Sequence, residues 1–498
     1  MGQGASLGSR ARAGSPYFLE PIPRCHSAVA TQPLDSSGPT EGAWLRRVGG
    51  LPVLGRWWLD SALPTPPLGR WSFAGAEPWA VLRSFGSRHE LEVVRAARPD
   101  GPGPGRHVLA GPALEVLASL QPPPPACPVD VPFTGGAILV LGYGLGARLD
   151  RVRGLHANGA ELPDLCALFV DRLYAFDHLE GRLWAVGCGF GASPARAEAR
   201  ARHAAREQAA LPEGSLPSVR PGPPLRSPAS PAADAALHAK SVGEVRERIE
   251  AGDLYQACLT RRLDRPAPAD PWSLYARLRR ANPAPFGAYL ELPDGVVLGS
   301  SPERFLRVTS GGWAESRPIK GTRPRGESPG EDRRLRAELA ASPKDRAENL
   351  MIVDLVRNDL GRVCEVGSVH VPELMAIESY TTLFQMVSTV RGRLAPGSCA
   401  LDAVAAAFPP GSMTGAPKLA AMELLARLEP EPRGFYAGAL GYLDVAGGCD
   451  LSVVIRTAFL RGGRLFFHTG GGIVADSQAE EEWQESEDKV RVLLEALS

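Results

Sequence analysis

The sequence predicts a large α+β protein with two structured regions. In the first region, strand-like apolar runs such as Ala137–Leu141 and Leu183–Val186 alternate with turn signals, and residues 194–210 have the Ala, Arg and Glu content of a helix. In the second region, apolar residues recur at helical spacing from Leu237 to Gly252, and the strand-like run Gly295–Gly299 follows. With 498 residues and 44% hydrophobic content, the chain can bury an extensive core.

Composition argues against several classes of function. The 55 basic and 55 acidic residues cancel, so charge indicates neither a nucleic-acid-binding nor a membrane-surface protein. The eight cysteines are scattered without CxxC spacing, which argues against a disulfide framework or a zinc site. No apolar run approaches the roughly 20 residues that span a bilayer, and the first residues lack a hydrophobic signal segment. We therefore expect a cytoplasmic protein with a small-molecule ligand.

Four segments are predicted along the chain. Residues 1–40 are rich in Gly, Ser, Arg and Pro, which predicts a poorly ordered tail. Residues 41–210 form the first structured region. Residues 211–236 are rich in proline and predict an exposed, semi-rigid linker between two lobes. Residues 237–498 form the second region and contain every strong motif.

Lys320 lies in the run PIKGTRPRG, residues 318–326. The prolines at both ends fix φ, and Gly321 allows close approach of backbone or ligand, so the run predicts a shaped loop. Such a loop can aim an amine. The alternative is an ordinary surface lysine in a turn, and this run alone does not decide between them.

Acidic residues recur three apart on two predicted helices. Asp345 and Glu348 share a face of a helix that Ser342 could cap, and Glu482 and Glu485 repeat the arrangement near the carboxyl terminus. Two such helices could share one Mg²⁺, which prefers oxygen ligands and retains waters and a substrate oxygen. The alternative is exposed charge on two amphipathic helices.

Glycine-rich turns and one arginine indicate an anionic ligand. Gly470–Gly472 follow a predicted strand, and their backbone N–H groups could approach a carboxylate or phosphate. Residues 411–418 form a turn into a helix, but Pro417 stands where a nucleotide-binding loop has its second glycine. Arg456 interrupts an apolar strand, either as an outward-facing residue or as a carboxylate clamp.

Seven ordered motifs resemble those of the chorismate-utilising enzymes, which include anthranilate synthase component I, aminodeoxychorismate synthase component I, and the isochorismate and salicylate synthases. The resemblance extends over about residues 41–498. It implies an α+β, anthranilate synthase component I-like fold with two mixed β-sheets packed as a sandwich and flanked by helices. The motifs are AGDLYQACLTRR (251–262), GSSPERF (299–305), PIKGTRPRG (318–326), DRAENLMIVDLVRNDLGRV (345–363), GSMTGAPK (411–418), GFYAGALGY (434–442) and GGGIVADSQAEEEWQESEDK (470–489).

The resemblance also implies roles for individual residues. Lys320 resembles a covalent nucleophile, and Glu303 resembles the general acid that protonates the departing 4-hydroxyl of chorismate. Glu348 and Glu485 resemble Mg²⁺ ligands, with Asp345 and Glu482 as auxiliary carboxylates. The substrate-binding positions implied are Gln256, Thr322, Thr414, Tyr436, Arg456, Gly470, Gly471, Gly472 and Lys489. Asp60 and Ser61 match a pocket that binds tryptophan in relatives.

Three positions distinguish members of this family. Gln256 stands where the isochorismate and salicylate enzymes have a water-activating lysine, which disfavours water as the nucleophile. Position 320 is lysine, as in the aminodeoxychorismate synthases, whereas anthranilate synthases have alanine there. Gln385 stands where many ammonia-using relatives have a histidine linked to pyruvate elimination, which disfavours anthranilate as product and leaves the role of this position open.

These resemblances imply a specific reaction. Attack of neutral Lys320 on carbon 2 of chorismate would expel the 4-hydroxyl, and ammonia would then attack carbon 4 and expel the lysine, giving 4-amino-4-deoxychorismate for p-aminobenzoate and folate biosynthesis. No glutaminase region with a nucleophilic cysteine is evident, so we expect a glutamine amidotransferase partner to supply ammonia. Anthranilate synthase component I is the alternative enzyme, and a non-catalytic binding module is a third hypothesis.

Overall fold

A computed structural model describes residues 25–34, 41–63, 68–126, 129–150, 152, 162–218, 232–267, 270–380 and 383–497. Within these ranges the strands are β1 His26–Pro33, β2 Trp57–Asp60, β3 Trp71–Gly75, β4 Ala80–Phe85, β5 Arg88–Val93, β6 Gly105–Ala110, β7 Gly136–Leu141, β8 Leu165–Val170, β9 Arg172–Asp177, β10 Arg182–Gly191, β11 Gln256–Pro266, β12 Phe286–Leu292, β13 Gly295–Ser301, β14 Arg304–Val308, β15 Trp313–Arg317, β16 Ile319–Pro324, β17 His370–Ser379, β18 Leu383–Arg393, β19 Gly415–Ala416, β20 Ala439–Asp444, β21 Cys449–Val453, β22 Thr457–Arg461 and β23 Arg464–Ile473.

The helices connect and flank these strands, and one short 3₁₀ turn spans Gly411–Met413. The α-helices are α1 Glu41–Gly49, α2 Ala113–Leu120, α3 Leu145–Leu149, α4 Pro194–Ala209, α5 Ala232–Glu250, α6 Pro271–Ala281, α7 Pro329–Ala341, α8 Pro343–Gly361, α9 Ala400–Ala407, α10 Lys418–Leu428 and α11 Ala479–Leu497. In the described part of the chain, no helix combines the length and apolarity needed to cross a membrane.

The strands form two large sheets. The first has the order β1-β10-β9-β3-β2-β12-β13-β22-β23-β11-β19, and the second has the order β16-β18-β15-β14-β21-β20-β7-β8-β4-β5-β6, with β17 paired to β18. The predicted α+β class and two-sheet arrangement are confirmed. Where the sequence led us to expect parallel as well as antiparallel pairs, every registered pairing among the described strands is antiparallel.

The two predicted regions share both sheets and are not separate lobes. Leu59 of β2 lies opposite Ala288 of β12 in the first sheet, and Leu139 of β7 lies opposite Gly441 of β20 in the second. Apolar side chains from both sheets meet between them, where the rings of Phe73 and Tyr442 have centroids 5.6 Å apart. Each region leaves sheet edges that the other covers, so the linker is a boundary in sequence only.

The predicted tail and linker are partly regular structure. His26–Pro33 pair along their whole length with β10, so the prediction of poor order is wrong for this segment. Backbone hydrogen bonds to an existing sheet edge do not require strong apolar periodicity, which explains why composition missed this strand. Residues 232–236 of the predicted linker belong to α5, whereas 211–218 are described without regular structure. Residues 1–24, 35–40 and 219–231 lie outside the described ranges.

The helix that carries Asp345 and Glu348 forms where the sequence predicts it. Ser342 caps α8, and its side chain accepts a hydrogen bond from the backbone N–H of Asp345 at 3.3 Å. Pro343 occupies the first turn, where its missing N–H costs nothing. Ile352 and Val353 are buried on the core side of the helix, which fixes the direction of its acidic face.

Candidate active site

Three consecutive glycines of β23 make room for the functional side chains around them. A Cβ at Gly471 would lie 3.0 Å from Glu482 Oε2 and 3.7 Å from Glu485 Oε1. A Cβ at Gly472 would lie 2.0 Å from Gln256 Nε2 and 3.3 Å from Lys320 Nζ. The absence of side chains therefore lets the carboxylates of α11 approach β23 beside one glycine, and the amide and amine approach it beside the next.

Lys320 lies on a strand, whereas the sequence predicts a loop. It belongs to β16, whose pairing with β18 changes register between Ile319 and Thr322. Gly321 adopts φ +85° at this irregularity, and Asp345 packs so closely against it that an added Cβ would be 2.9 Å away. The bulge directs the amine toward α8, and Lys320 Nζ lies 3.8 Å from Glu348 Oε2.

Glu303 is a buried carboxyl group poised near neutrality. It lies between β13 and β14 and is 6% exposed. Burial raises its pKa to about 7, although the nearby Ser412 hydroxyl, the charge of Lys320 and the backbone of Ile319 act in the opposite direction. A carboxyl group with such a pKa can donate a proton near neutral pH.

The carboxylates of α11 lie close to β23 and influence each other. Glu482 is buried and accepts a hydrogen bond from Ser477 Oγ at 2.7 Å. Burial raises its pKa, and the negative charges of Glu485 and Glu348 raise it further. Burial alone would also raise the pKa of Glu485, but the ammonium of Lys489, 2.6 Å away, helps to bring it below its ordinary value. Acidic groups from two helices therefore share one electrostatic environment.

The acidic residues of α8 and α11 can be compared with the needs of a bound cation. Within the ranges given above, no group of three or more His, Cys, Asp or Glu side chains is arranged to hold a metal ion. Asp345 accepts a hydrogen bond from Arg323 at 3.2 Å and is thus already paired. Glu348 has the ammonium of Lys320 at 3.8 Å and Glu485 that of Lys489 at 2.6 Å, and the negative charges of both carboxylates still raise the pKa of Glu482. This concentration of negative charge suits a cation that also takes substrate and water oxygens, as Mg²⁺ does.

The cations predicted to bind substrate differ in their surroundings. The side chain of Arg456 makes no hydrogen bond or ion pair with any part of the chain described here, and burial lowers its pKa. Its backbone has φ +49°, which is uncommon for a residue with a side chain. Lys489 instead donates to the backbone oxygen of Gly470 at 2.7 Å. An unpaired, desolvated guanidinium is well suited to bind a carboxylate.

Of the remaining predicted substrate-binding side chains, three are buried and one is exposed. Gln256 is 1% exposed, and its Oε1 has no hydrogen-bond partner in the described protein, so it can still accept one. The ring of Tyr436 is buried and stacks on His468 at 5.0 Å. Thr414 is also buried, but its hydroxyl donates to Gly411 O at 3.2 Å and so stabilises its own turn. Thr322 is exposed beyond the bulge, which makes it the least enclosed of the set.

The predicted tryptophan pocket coincides with a cavity of about 720 Å³ between the sheets. Asp60 lines it but is bound by Arg279 Nε at 2.7 Å, and the hydroxyl of Ser61 donates to Trp71 O at 2.7 Å. Both side chains are thus engaged within the protein. Arg304, the residue after Glu303, also lines this cavity.

Sequence reasoning did not assign roles to two side chains that neighbour the predicted site. Ser412 lines the same small cavity as Glu303, its buried hydroxyl has no hydrogen-bond partner in the described protein, and it lies in the quoted GSMTGAPK motif, which could have suggested it. Lys344 Nζ lies 4.0 Å from Glu482 Oε1, a contact between helices that spacing does not reveal. Gln385 is 2% exposed on β18, opposite Thr322.

Comparisons with known proteins identify the family of this chain. The chorismate binding enzyme family matches residues 77–495. An aminodeoxychorismate synthase of Streptomyces pristinaespiralis is 44% identical over 467 residues, covering 89% of this chain and 62% of the relative. The chain thus spans less than two thirds of that relative's length. Aminodeoxychorismate synthase component 1 of Salmonella typhimurium is 40% identical, covering 77% of this chain and 80% of the relative.

Anthranilate synthases are also similar. Anthranilate synthase component 1 of Streptomyces coelicolor is 41% identical and covers 76% of each chain. Anthranilate synthase component I from Streptococcus pneumoniae, a solved structure, superposes with a TM-score of 0.70 at 28% identity, covering 87% of this chain and 93% of that one. Similarity in sequence and fold together show that this chain belongs to the chorismate binding enzyme family.

Proposed function

We propose that this chain replaces the 4-hydroxyl of chorismate with an amino group, forming 4-amino-4-deoxychorismate. The observation that carries the proposal is the amine of Lys320, 3.8 Å from Glu348 and within the electrostatic field of the buried Glu303. Relatives named aminodeoxychorismate synthase support it at 40–44% identity.

The proposed first step joins Lys320 to substrate. Neutral Lys320 Nζ attacks carbon 2, the ring double bond shifts, and the carbon 4–oxygen bond breaks. Glu303 donates its proton to that oxygen, which leaves as water. Its pKa of about 7 keeps a useful fraction protonated near neutrality.

The proposed second step releases the enzyme. Ammonia attacks carbon 4, the double bond shifts back, and the bond from carbon 2 to Lys320 Nζ breaks. Carbon 4 then carries nitrogen, and the lysine leaves as the amine. Gln256 in place of a basic residue favours ammonia over water, because ammonia needs no general base to attack.

Different residues would hold the substrate and the cation. Arg456, whose guanidinium has no counter-charge in the described protein, would bind one carboxylate of chorismate. Glu348 and Glu485 would hold Mg²⁺, with Asp345 and Glu482 nearby. When bound, Mg²⁺ would neutralise the charge of the other carboxylate.

Ammonia would come from a glutamine amidotransferase, and the name "component 1" of a relative implies a second component there. We place the reaction in the cytoplasm, as a step toward p-aminobenzoate. The cysteines Cys25, Cys166, Cys188, Cys258, Cys364, Cys399 and Cys449 are free thiols, as a reducing compartment requires.

Product analysis tests the proposal against anthranilate synthesis, which the 41% identical relative favours. The protein is incubated with chorismate, Mg²⁺ and ammonium chloride, and products are separated by chromatography with fluorescence detection. We expect a non-fluorescent aminated product with nitrogen on carbon 4. Fluorescent anthranilate as the main product would refute the proposal and establish the alternative.

A further inference from the structure

A buried hydrogen-bonded pair joins the helix of Glu348 to the strand beside Lys320. Asn349 on α8 and Ser388 on β18 are both 0% exposed. Ser388 Oγ donates to Asn349 Oδ1 at 2.5 Å, and Asn349 Nδ2 donates to Met386 O at 3.4 Å. Because Asn349 directly follows Glu348, this contact fixes the helix at the position of that carboxylate.

Ser388 also contacts the chain just before the strand that carries the amine. Its backbone N–H donates to the oxygen of Pro318 at 3.2 Å, two residues before Lys320. Its Oγ accepts a hydrogen bond from the N–H of Met375, which has φ +55° where β17 and β18 change register. Ser388 thus contacts the helix, the residue that precedes the strand of the amine, and an irregular neighbouring strand.

An ion pair between β16 and this end of α8, besides that of Lys320 with Glu348, is more exposed. Arg323 donates to Asp345 at 3.2 Å, with side chains 26% and 17% exposed. Exposed ion pairs constrain geometry weakly, because water competes and both side chains remain mobile. Water does not compete for a fully buried hydrogen bond, and removing one partner leaves the other buried without a hydrogen bond.

We propose that Asn349 and Ser388 are positioning residues that set the separation of the Lys320 amine from the Glu348 carboxylate. The inference rests on the roles proposed above for Lys320 and Glu348. The amine must reach carbon 2 of a substrate whose carboxylate would be held by a cation at Glu348. The distance between β16 and α8 must therefore stay constant. A displacement of about 1 Å can cost roughly 100-fold in rate.

The test compares four proteins: the unaltered chain, Ser388→Ala, the double variant Asn349→Leu with Ser388→Ala, and the control Ser84→Ala. Ser84 is also 0% exposed and hydrogen-bonded, to His89 Nδ1 at 2.8 Å, on β4 far across the second sheet. The double variant removes both polar partners, so that no buried polar atom of the pair is stranded.

Two readouts separate positioning from folding. Mass spectrometry follows covalent attachment of chorismate at saturating Mg²⁺ without ammonia, and calorimetry measures the dissociation constant of Mg²⁺ in the absence of chorismate. For Ser388→Ala we expect attachment to slow about 100-fold with little change in KM for chorismate. We expect Mg²⁺ affinity to fall roughly tenfold. Ser84→Ala should leave both readouts unchanged.

The double variant decides the question. If it unfolds at the temperature of the unaltered chain but remains slow in attachment and weak in Mg²⁺ binding, positioning is supported. If it recovers both readouts together with stability, the pair is merely structural and the inference is overturned. If the unaltered chain aminates chorismate without any covalent attachment, the proposed role of Lys320 is wrong. In that case the Mg²⁺ affinity still tests the positioning pair, and an unchanged affinity in Ser388→Ala would overturn the inference.

Discussion

Substituting Gly472 with alanine perturbs the proposed site by one methyl group. The added Cβ would lie 2.0 Å from Gln256 Nε2 and 3.3 Å from Lys320 Nζ. To restore an ordinary contact of 3.4 Å, the amide of Gln256 must move by about 1.4 Å, whereas the amine needs only a small shift. Gln256 is 1% exposed and cannot withdraw into solvent. The strain therefore falls on the neighbours of Lys320.

The expected size of the effect follows from this displacement. Overpacking in a tight interior costs about 1–3 kcal/mol of stability. A misplacement of about 1 Å near reacting atoms costs roughly 100-fold in rate, which corresponds to about 2.7 kcal/mol of activation free energy. Gly471→Ala meets Glu482 at 3.0 Å and Glu485 at 3.7 Å, so it should weaken Mg²⁺ binding more than it slows attachment.

The assay measures covalent attachment of chorismate and thermal unfolding for both variants. Gly243→Ala on α5 is the control, because an added Cβ there has no neighbour within 4 Å and alanine favours the helix. A Gly472→Ala protein that attaches chorismate at the unaltered rate would refute the reasoning. It would show that the crowded face of β23 is not where the chemistry occurs.

Three further substitutions have defined outcomes. Because burial raises the pKa of Glu303 to about 7 and the protonated form is the donor, the fraction of enzyme able to donate this proton falls as pH rises through 7; Glu303→Gln should slow attachment by roughly 10² to 10⁴-fold and remove the contribution of this group from the rate–pH profile. Arg456→Ala should raise KM for chorismate by at least tenfold in steady-state assays without lowering the unfolding temperature, since the residue it removes is a partly buried cation with no partner in the described protein. Asp60→Asn should lower the free energy of unfolding by about 1–3 kcal/mol in urea denaturation, because Arg279 loses its buried partner and keeps only the exposed Glu41 at 2.8 Å; an unchanged midpoint would contradict this.

Local chemistry allowed much of the structure to be predicted from the sequence. The helix around Asp345 and Glu348 was predictable because a serine cap, a proline in the first turn and a regular apolar face all agree. The run of glycines in β23 was also predictable as a place of close approach, because glycine has no side chain. What approaches them, Glu482 on one side and Gln256 on the other, is contributed by distant segments.

Features that depend on distant contacts could not be predicted in this way. The strand His26–Pro33 exists because β10 offers an edge, and the sharing of both sheets by two regions depends on pairings such as Leu59 with Ala288. The bulge at Lys320 arises from its pairing with β18, so the local sequence suggested a loop. The link from Asn349 to Ser388 likewise joins residues 39 positions apart.

The central claim is that Lys320 forms a covalent bond to chorismate and thereby directs nitrogen to carbon 4. The most direct measurement is intact-protein and peptide mass spectrometry after incubation with chorismate and Mg²⁺ without ammonia. The account predicts a protein heavier by the mass of chorismate less one water, with the modification on the peptide that contains Lys320 and absent from Lys320→Ala. The same modification in Lys320→Ala, or amination of carbon 4 at the full rate by that variant, would contradict it.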